Sequence, residues 1–295
     1  MIATTGFFDG VHLGHRLVIE RLVSLARERG DESLVVTFWP HPRAVLQDGA
    51  RELRLLNSLE EKKELLRSLG VDRVEVLDFT RSFAALTAEQ YLREILRDRY
   101  GVTTLLMGYD NRLGSDRLTA DTLKPIAEGI GMELKELLPL SFRPSEASGE
   151  ISSTQIRTAL ENGDIVSAAE MLGYGYSLKG VVVAGNRLGR TIGFPTANMK
   201  LYEPLKLVPG RGVYAVEAEV LGKKYRGMTN IGLRPTVGGS FTTIETHILD
   251  FDEDIYGLPL RITFLRRLRD EVHFPSLEAL KDQLEKDREC CREQK

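Results

Sequence analysis

The sequence predicts two joined fold classes: an α/β domain built on a parallel sheet with helices on both faces, then a mostly-β barrel finished by a terminal helix. Three observations carry this. From residue 2 to about 138, strand-like and helix-like segments alternate. Beyond Gly173 the chain breaks into short β-type runs punctuated by Gly and Pro. Its 295 residues suit about two domains.

The elements follow in order. Ile2 to Thr5 is a short apolar strand. His15 to Arg29 carries Val18, Leu22, Leu25 and Ala26 at helical spacing, and Gly30 stops it. Ser33 to Phe38 is a buried-strand run. Ser58 and Glu61 form a capping box for a helix to Leu69. Val74 to Phe79 is strand-like, and Thr87 with Gln90 opens a helix to Tyr100. Thr103 to Met107 is a strand, Asp116 to Ile130 a helix, and Glu133 to Leu138 the last strand of the set. Thr154 to Leu160 and Ile165 to Leu172 are short helices split by Asn162-Gly163-Asp164. Among the later β-runs, Tyr214, Val216, Ala218 and Val220 mark one apolar face. Ser276 to Arg288 is the terminal helix, with Leu277, Leu280 and Leu284 on one face. The boundary falls between about 165 and 178, giving domains 1–172 and 173–295.

Composition narrows the function classes. The chain is 42% hydrophobic and 28% charged, an ordinary globular balance. A net charge of −3 gives no support for nucleic-acid or anionic-membrane partners. The start, MIATTGFFDG, lacks a basic n-region and a long apolar run, so no secretory signal is expected, and no stretch is apolar enough for a membrane span. The only cysteines, Cys290 and Cys291, are adjacent and read as incidental exposed thiols, which suits a reducing cytoplasm. Self-association is not legible.

Two strings carry chemistry. GFFDGVHLGH (Gly6 to His15) lies between the first strand and the first helix. In open parallel sheets, ligands bind at the carboxyl ends of strands. Glycines let the backbone approach a phosphate, and a helix N-terminus offers free N–H groups. His12 and His15, three apart, can aim at one point and stabilise charge on a transferring phosphate. The alternative is that they cap the helix and pack locally. The second string, GNRLGRTIGFPTAN (Gly185 to Asn198), lacks Gly-Lys-Ser/Thr and is not a P-loop. It reads as a phosphate-covering loop in which Thr196 and Asn198 offer oxygen to Mg²⁺, or as an irregular barrel turn.

GFFDGVHLGH resembles the HxGH signature of the nucleotidylyltransferases, in the longer form of the bacterial bifunctional FAD synthetases. TFWPHPRAVL (Thr37 to Leu46), GYDNRLG (Gly108 to Gly114) and EISSTQIR (Glu150 to Arg157) resemble that family's later blocks in order. The family commonly has Asn where this chain has Phe7, and aromatics at Asn111 and Leu113. GRTIGFPTAN, RGVYAV (Arg211 to Val216), GMTNIGLRPT (Gly227 to Thr236) and ETHILDFDEDIYG (Glu245 to Gly257) resemble the riboflavin kinase family.

The resemblance implies a Rossmann-like domain that adenylylates FMN to FAD, releasing pyrophosphate, and a kinase barrel that phosphorylates riboflavin to FMN. Both would use ATP and Mg²⁺. It implies catalytic roles for His12, His15, Arg157 and Glu245, the last as base toward the riboflavin 5′-hydroxyl. Nucleotide contacts would fall on Gly6, Phe8, Asp9, Gly10, Gly14, His41, Asp110, Ser153 and Thr154, and in the barrel on Gly189, Arg190, Gly193 and Pro195. Thr196 and Asn198 would hold the metal. His247 shares the strand face of Glu245 and either orients or packs. The acidic run Asp250, Asp252, Glu253 and Asp254 reads as a solvated turn, and Arg266, Arg267 and Arg269 as flavin or phosphate contacts or surface charge. A kinase with a weakened adenylyltransferase half, and a flavin-binding protein without turnover, are the alternatives.

Overall fold

The computed structural model describes residues 1–46, 53–108, 111–137, 151–185, 188–236 and 239–292. Asp110, Leu138, Glu150, Asn186 and Arg187 lie outside them. The chain divides into two compact units, Met1–Ser152 and Ser153–Lys295.

In the first unit the order is β1 (Ile2–Thr5), α1 (Leu13–Arg29), β2 (Ser33–Trp39), α2 (Pro42–Leu46), α3 (Leu59–Ser68), β3 (Arg73–Asp78), α4 (Arg81–Ala84), α5 (Ala88–Gln90), β4 (Thr104–Gly108), α6 (Ala120–Gly129) and β5 (Glu133–Leu137). The five strands are parallel, in the order β3-β2-β1-β4-β5. Period-two alternation explains helices on both faces. Ile2, Val35 and Leu106 pack with Ile19, Leu22 and Leu66 from α1 and α3. Their neighbours Ala3, Leu34, Val36 and Leu105 pack on the other face with Tyr91, Leu92, Leu96 and Leu123. Strand order reverses between β1 and β4, so the crevice of this sheet lies at the carboxyl end of β1, at the GFFDGVHLGH loop.

The predicted stops hold. Gly30 closes α1 at φ 66°, and Ser58 with Glu61 forms a complete capping box on α3, as Thr87 with Gln90 does on α5. Two differences appear. The helix expected to Tyr100 continues from α5 as a π-helix, Tyr91–Arg99. The helix expected from Asp116 begins at Ala120, because Leu113 and Leu118 pair across a turn. The Asp116 carboxylate accepts from the Ala88 N–H at 3.0 Å and holds that turn.

The second unit opens with α7 (Ser153–Glu161) and α8 (Ile165–Leu172), then β6 (Ser177–Val183), α9 (Leu188–Thr191), β7 (Ala197–Leu201), β8 (Gly212–Val220), β9 (Lys223–Thr236), β10 (Gly239–Ile248), β11 (Pro259–Arg269) and α10 (Leu277–Arg292). Six antiparallel strands close a barrel in the order β10-β7-β6-β11-β8-β9. Tyr214, Val216, Ala218 and Val220 are buried, as their alternation predicts. The Gly210 N–H donates to Leu160 O at 2.8 Å, tying α7 to the barrel. Arg269 clamps α10 to β11 by donating to both carboxylate oxygens of Asp287, Nε to Oδ1 at 3.2 Å and Nη2 to Oδ2 at 2.8 Å.

Candidate active sites

The loop after β1 has an unusual backbone. Phe8, Gly10 and Val11 all have positive φ (53°, 85° and 37°). For a β-branched residue such as Val11 this is a strained conformation, of the kind held at functional sites. The bend aims the chain into α1, where His12 is the N-cap and its Nδ1 accepts from the His15 N–H at 3.4 Å. The His12 proton therefore sits on Nε2, since Nδ1 is an acceptor. The two imidazoles stack, centroids 3.6 Å apart and 20° from parallel. Capping and convergence are thus one arrangement. Burial, then His12 and Lys62, hold the His15 imidazole well below its ordinary pKa. It stays neutral at neutral pH and offers one N–H.

The other loop residues support this pair. The Phe8 ring meets His15 edge-on at 5.3 Å. It also covers Gly6, where a Cβ would stand 3.0 Å from Phe8 Cζ. A Cβ at Gly14 would press on the His12 ring at 3.2 Å. The buried carboxylate of Asp9 accepts from the Leu56 N–H (3.0 Å) and the Asn57 N–H (3.3 Å), tying the loop to the entry of α3. His41 accepts from the Arg43 N–H at 3.0 Å, so it stabilises its turn, and its ring meets Phe7 at 4.2 Å. Ser153, Thr154 and Arg157 open α7, with Ser153 and Arg157 one helical turn apart. The position of Asp110 falls outside the described residues.

In the barrel, β7 and β10 pair so that Asn198 stands opposite Glu245, and β9 places Asn230 on its other side. Directly opposed residues share a face, so Asn198, Glu245 and Asn230 form a row across three strands. A Cβ on Gly185 would overlap the Asn198 amide, so only glycine fits against that side chain. A cleft of about 280 Å³ is lined by Arg190, Pro195, Thr196, Thr246 and Ile248, and no member of the row lines it. β10 turns Thr246 and Ile248 toward this cleft and Glu245 and His247 to the other face.

His247 both hydrogen-bonds and packs. Its Nδ1 pairs with Pro195 O at 2.8 Å and its ring meets Phe194. Gly193 turns at φ 85°, and the Phe194 N–H donates to Gly189 O at 2.8 Å, closing the loop on itself. The acidic run is exposed, as expected of a turn, yet Asp252, Glu253 and Asp254 also rim the cleft. The last three arginines of β11 have structural partners: Arg266 donates to Cys290 O, Arg267 to Arg211 O, and Arg269 pairs with Asp287. Cys290 is exposed, but Cys291 is buried beside Phe194 and Leu249, which pushes its thiol up to about 11.

Known proteins match both halves. A family model described as FAD synthetase matches residues 1–155, and one described as riboflavin kinase matches 172–295. The bifunctional riboflavin kinase/FMN adenylyltransferase of Bacillus subtilis (strain 168) is 37% identical, over 98% of this chain and 90% of that protein. Its namesake in Escherichia coli (strain K12) is 38% identical, over 99% and 92%. The chain belongs to the bifunctional riboflavin kinase/FMN adenylyltransferase family.

A crystal structure from Streptococcus pneumoniae described as a macrolide-efflux protein superposes with a TM-score of 0.91 at 34% identity, covering 100% of this chain and 94% of that one. Among the described residues of the present chain, no helix is long and apolar enough to cross a membrane. Nor does any group of three His, Cys, Asp or Glu there stand ready to hold a metal. Two residues escaped the sequence reading. Asn230 lay inside a quoted motif without a role. Lys62 is fully buried beneath the phosphate-type loop.

Proposed function

We propose that this chain makes FAD from riboflavin in two ATP-dependent steps, with residues 173–295 making FMN and residues 1–172 adenylylating it. The supporting observation is that the key residues of each motif set meet: His12 and His15 stack at the β1–α1 loop, and strand register sets Asn198 and Asn230 on either side of Glu245.

For adenylyl transfer, an FMN phosphate oxygen bonds to the α-phosphorus of ATP as the bond to the β-phosphate bridge breaks and pyrophosphate leaves. No proton or covalent intermediate on the protein is needed, so the residues position and stabilise charge. His12 and His15 donate N–H groups to phosphate oxygens, and the α1 N-terminus adds its dipole. Ser153, Thr154 and Arg157 are assigned phosphate contacts on their motif alone.

For phosphorylation, Glu245 takes the proton of the riboflavin 5′-hydroxyl as that oxygen bonds to the γ-phosphorus and ADP leaves. Asn198 and Asn230 flank and orient it. His247 fixes the Pro195 carbonyl, and with it the approach to Thr196. Thr196 and Asn198 would hold Mg²⁺ through hydroxyl and amide oxygens, which suit a hard cation. When bound, it neutralises phosphate charge. The scarcity of cysteine supports a cytoplasmic setting.

The test separates the steps. His12→Ala with His15→Ala is expected to abolish FAD formation from FMN while riboflavin is still converted to FMN. Glu245→Gln is expected to do the reverse. Loss of both products in each variant contradicts two separate sites.

A further inference from the structure

Lys62 has no place in the chemistry so far, and its surroundings are unusual for a lysine. It is 0% exposed, on α3 beneath the GFFDGVHLGH loop. Its Nζ stands 3.5 Å from the centroid of the Phe7 ring and 3.4 Å from Thr37 Oγ1, to which it donates. Thr37 Oγ1 donates in turn to Phe7 O at 3.1 Å. The side chain therefore grips Phe7 twice, by its ring and, through Thr37, by its carbonyl. Asp9, in the same loop, ties it to the entry of α3. The groups facing the ammonium are Phe7 and Asp9 from the loop, His15 from α1 and Thr37 from β2.

A fully buried lysine needs a reason, because burying an ammonium is unfavourable unless it is well paired. The only carboxylate among these neighbours, Asp9, already accepts two backbone N–H bonds. The positive field of Lys62 is thus incompletely cancelled in a low-dielectric setting, directly under a loop shaped for anions. Long-range electrostatics are strong in such a place.

We propose that Lys62 is a positioning residue for adenylyl transfer, a buried cation that holds the loop from Phe7 to His15 in its reactive shape and keeps a positive field beneath the phosphates. The proposal rests on the adenylyltransferase reading of this unit. Phe7 gains a role from it: where the family commonly has Asn, the aromatic face receives the ammonium. The charge also opposes protonation of His15, which leaves that imidazole as a neutral N–H donor. Burial lowers the ammonium itself to about 8, so the charge is present at neutral pH and disappears in mild alkali.

The experiment uses the full chain with Lys62→Met, which keeps the apolar stem and removes the charge. FMN-to-FAD turnover is followed from pH 6.5 to 9.5, and riboflavin phosphorylation in the same preparation reports on the integrity of the chain. The expected result is a fall in adenylyl-transfer kcat of about 10- to 100-fold at pH 7, a KM for ATP within threefold, and unchanged kinase turnover. Wild-type kcat falls as pH rises through about 8, converging on the variant. In parallel, ¹³C-histidine NMR, assigned with His15→Ala, is expected to show His15 titrating at higher pH in Lys62→Met. A kcat within twofold of wild type, a wild-type profile flat through pH 8, or an unmoved His15 titration overturns the proposal. Absence of FAD synthesis in the wild type overturns the underlying reading instead, and the His15 titration then still decides whether Lys62 acts on the loop.

Discussion

Removing a charge that serves the reaction should make this protein more stable. The perturbation is again Lys62→Met. Burial lowers the Lys62 ammonium from 10.5 to about 8. At ~1.4 kcal/mol per pKa unit, that shift corresponds to about 3 kcal/mol of folding free energy given up at pH 7. The sign follows from proton binding. Between about 8 and 10.5 the unfolded chain holds the proton and the folded chain does not, so stability rises with pH across that window and the full penalty stands below it. Asp9 keeps its backbone donors in the variant, and the methionine stem refills most of the space. A net gain of about 1–3 kcal/mol is expected, less whatever the contacts to Phe7 and Thr37 contribute.

The assay is built into the chain. Its single tryptophan, Trp39, ends β2, so urea unfolding followed by its fluorescence reports on the first unit. With a urea slope of about 1–3 kcal/mol per molar, the midpoint should rise by roughly 1 M at pH 7. The difference from wild type should shrink between pH 8 and 10. A midpoint that falls at pH 7 refutes the reasoning, because it means the ammonium is a net stabilising element rather than a strained one.

The remaining predictions concern other contacts. His247→Phe removes the anchor on Pro195 O, and the KM for ATP in riboflavin phosphorylation should rise about three- to tenfold, roughly the 1 kcal/mol of one hydrogen bond, with FAD synthesis from FMN unchanged in steady-state assays. Gly185→Ala should displace the Asn198 amide and lower kinase kcat at least tenfold, while thermal unfolding shifts little. Asp9→Ala removes the carboxylate that accepts from the Leu56 and Asn57 N–H groups, so the Trp39-monitored transition should lose about 2 kcal/mol.

The sheet was legible because its strands are buried on two faces and read as apolar runs, and because Ser58–Glu61 and Thr87–Gln90 announce their helices. His12 and His15 were legible because a loop that must bend at Gly10 and cap a helix has few ways to place two imidazoles. Lys62 was not. It stands next to Lys63 in a capped helix, and nothing in the sequence marks either lysine out. Only tertiary packing separates them: Lys63 pairs with Glu60 in solvent, while Lys62 turns under the loop. The Asn198–Glu245–Asn230 row was hidden for a similar reason, since strand register is a long-range property. Cys291 read as an exposed tail residue because the sequence does not say that α10 lies against Phe194 and Leu249. The π-helical turn at Tyr91–Arg99 left no compositional mark.

Two independent transfers in one chain leave a signature in the order of their products. The most direct measurement is a product time course with wild-type protein, riboflavin, ATP and Mg²⁺, with FMN and FAD separated. FMN should appear first and FAD after a lag, with one pyrophosphate released for each FAD. FMN that accumulates without ever becoming FAD, or consumption of ATP with neither product, contradicts the account.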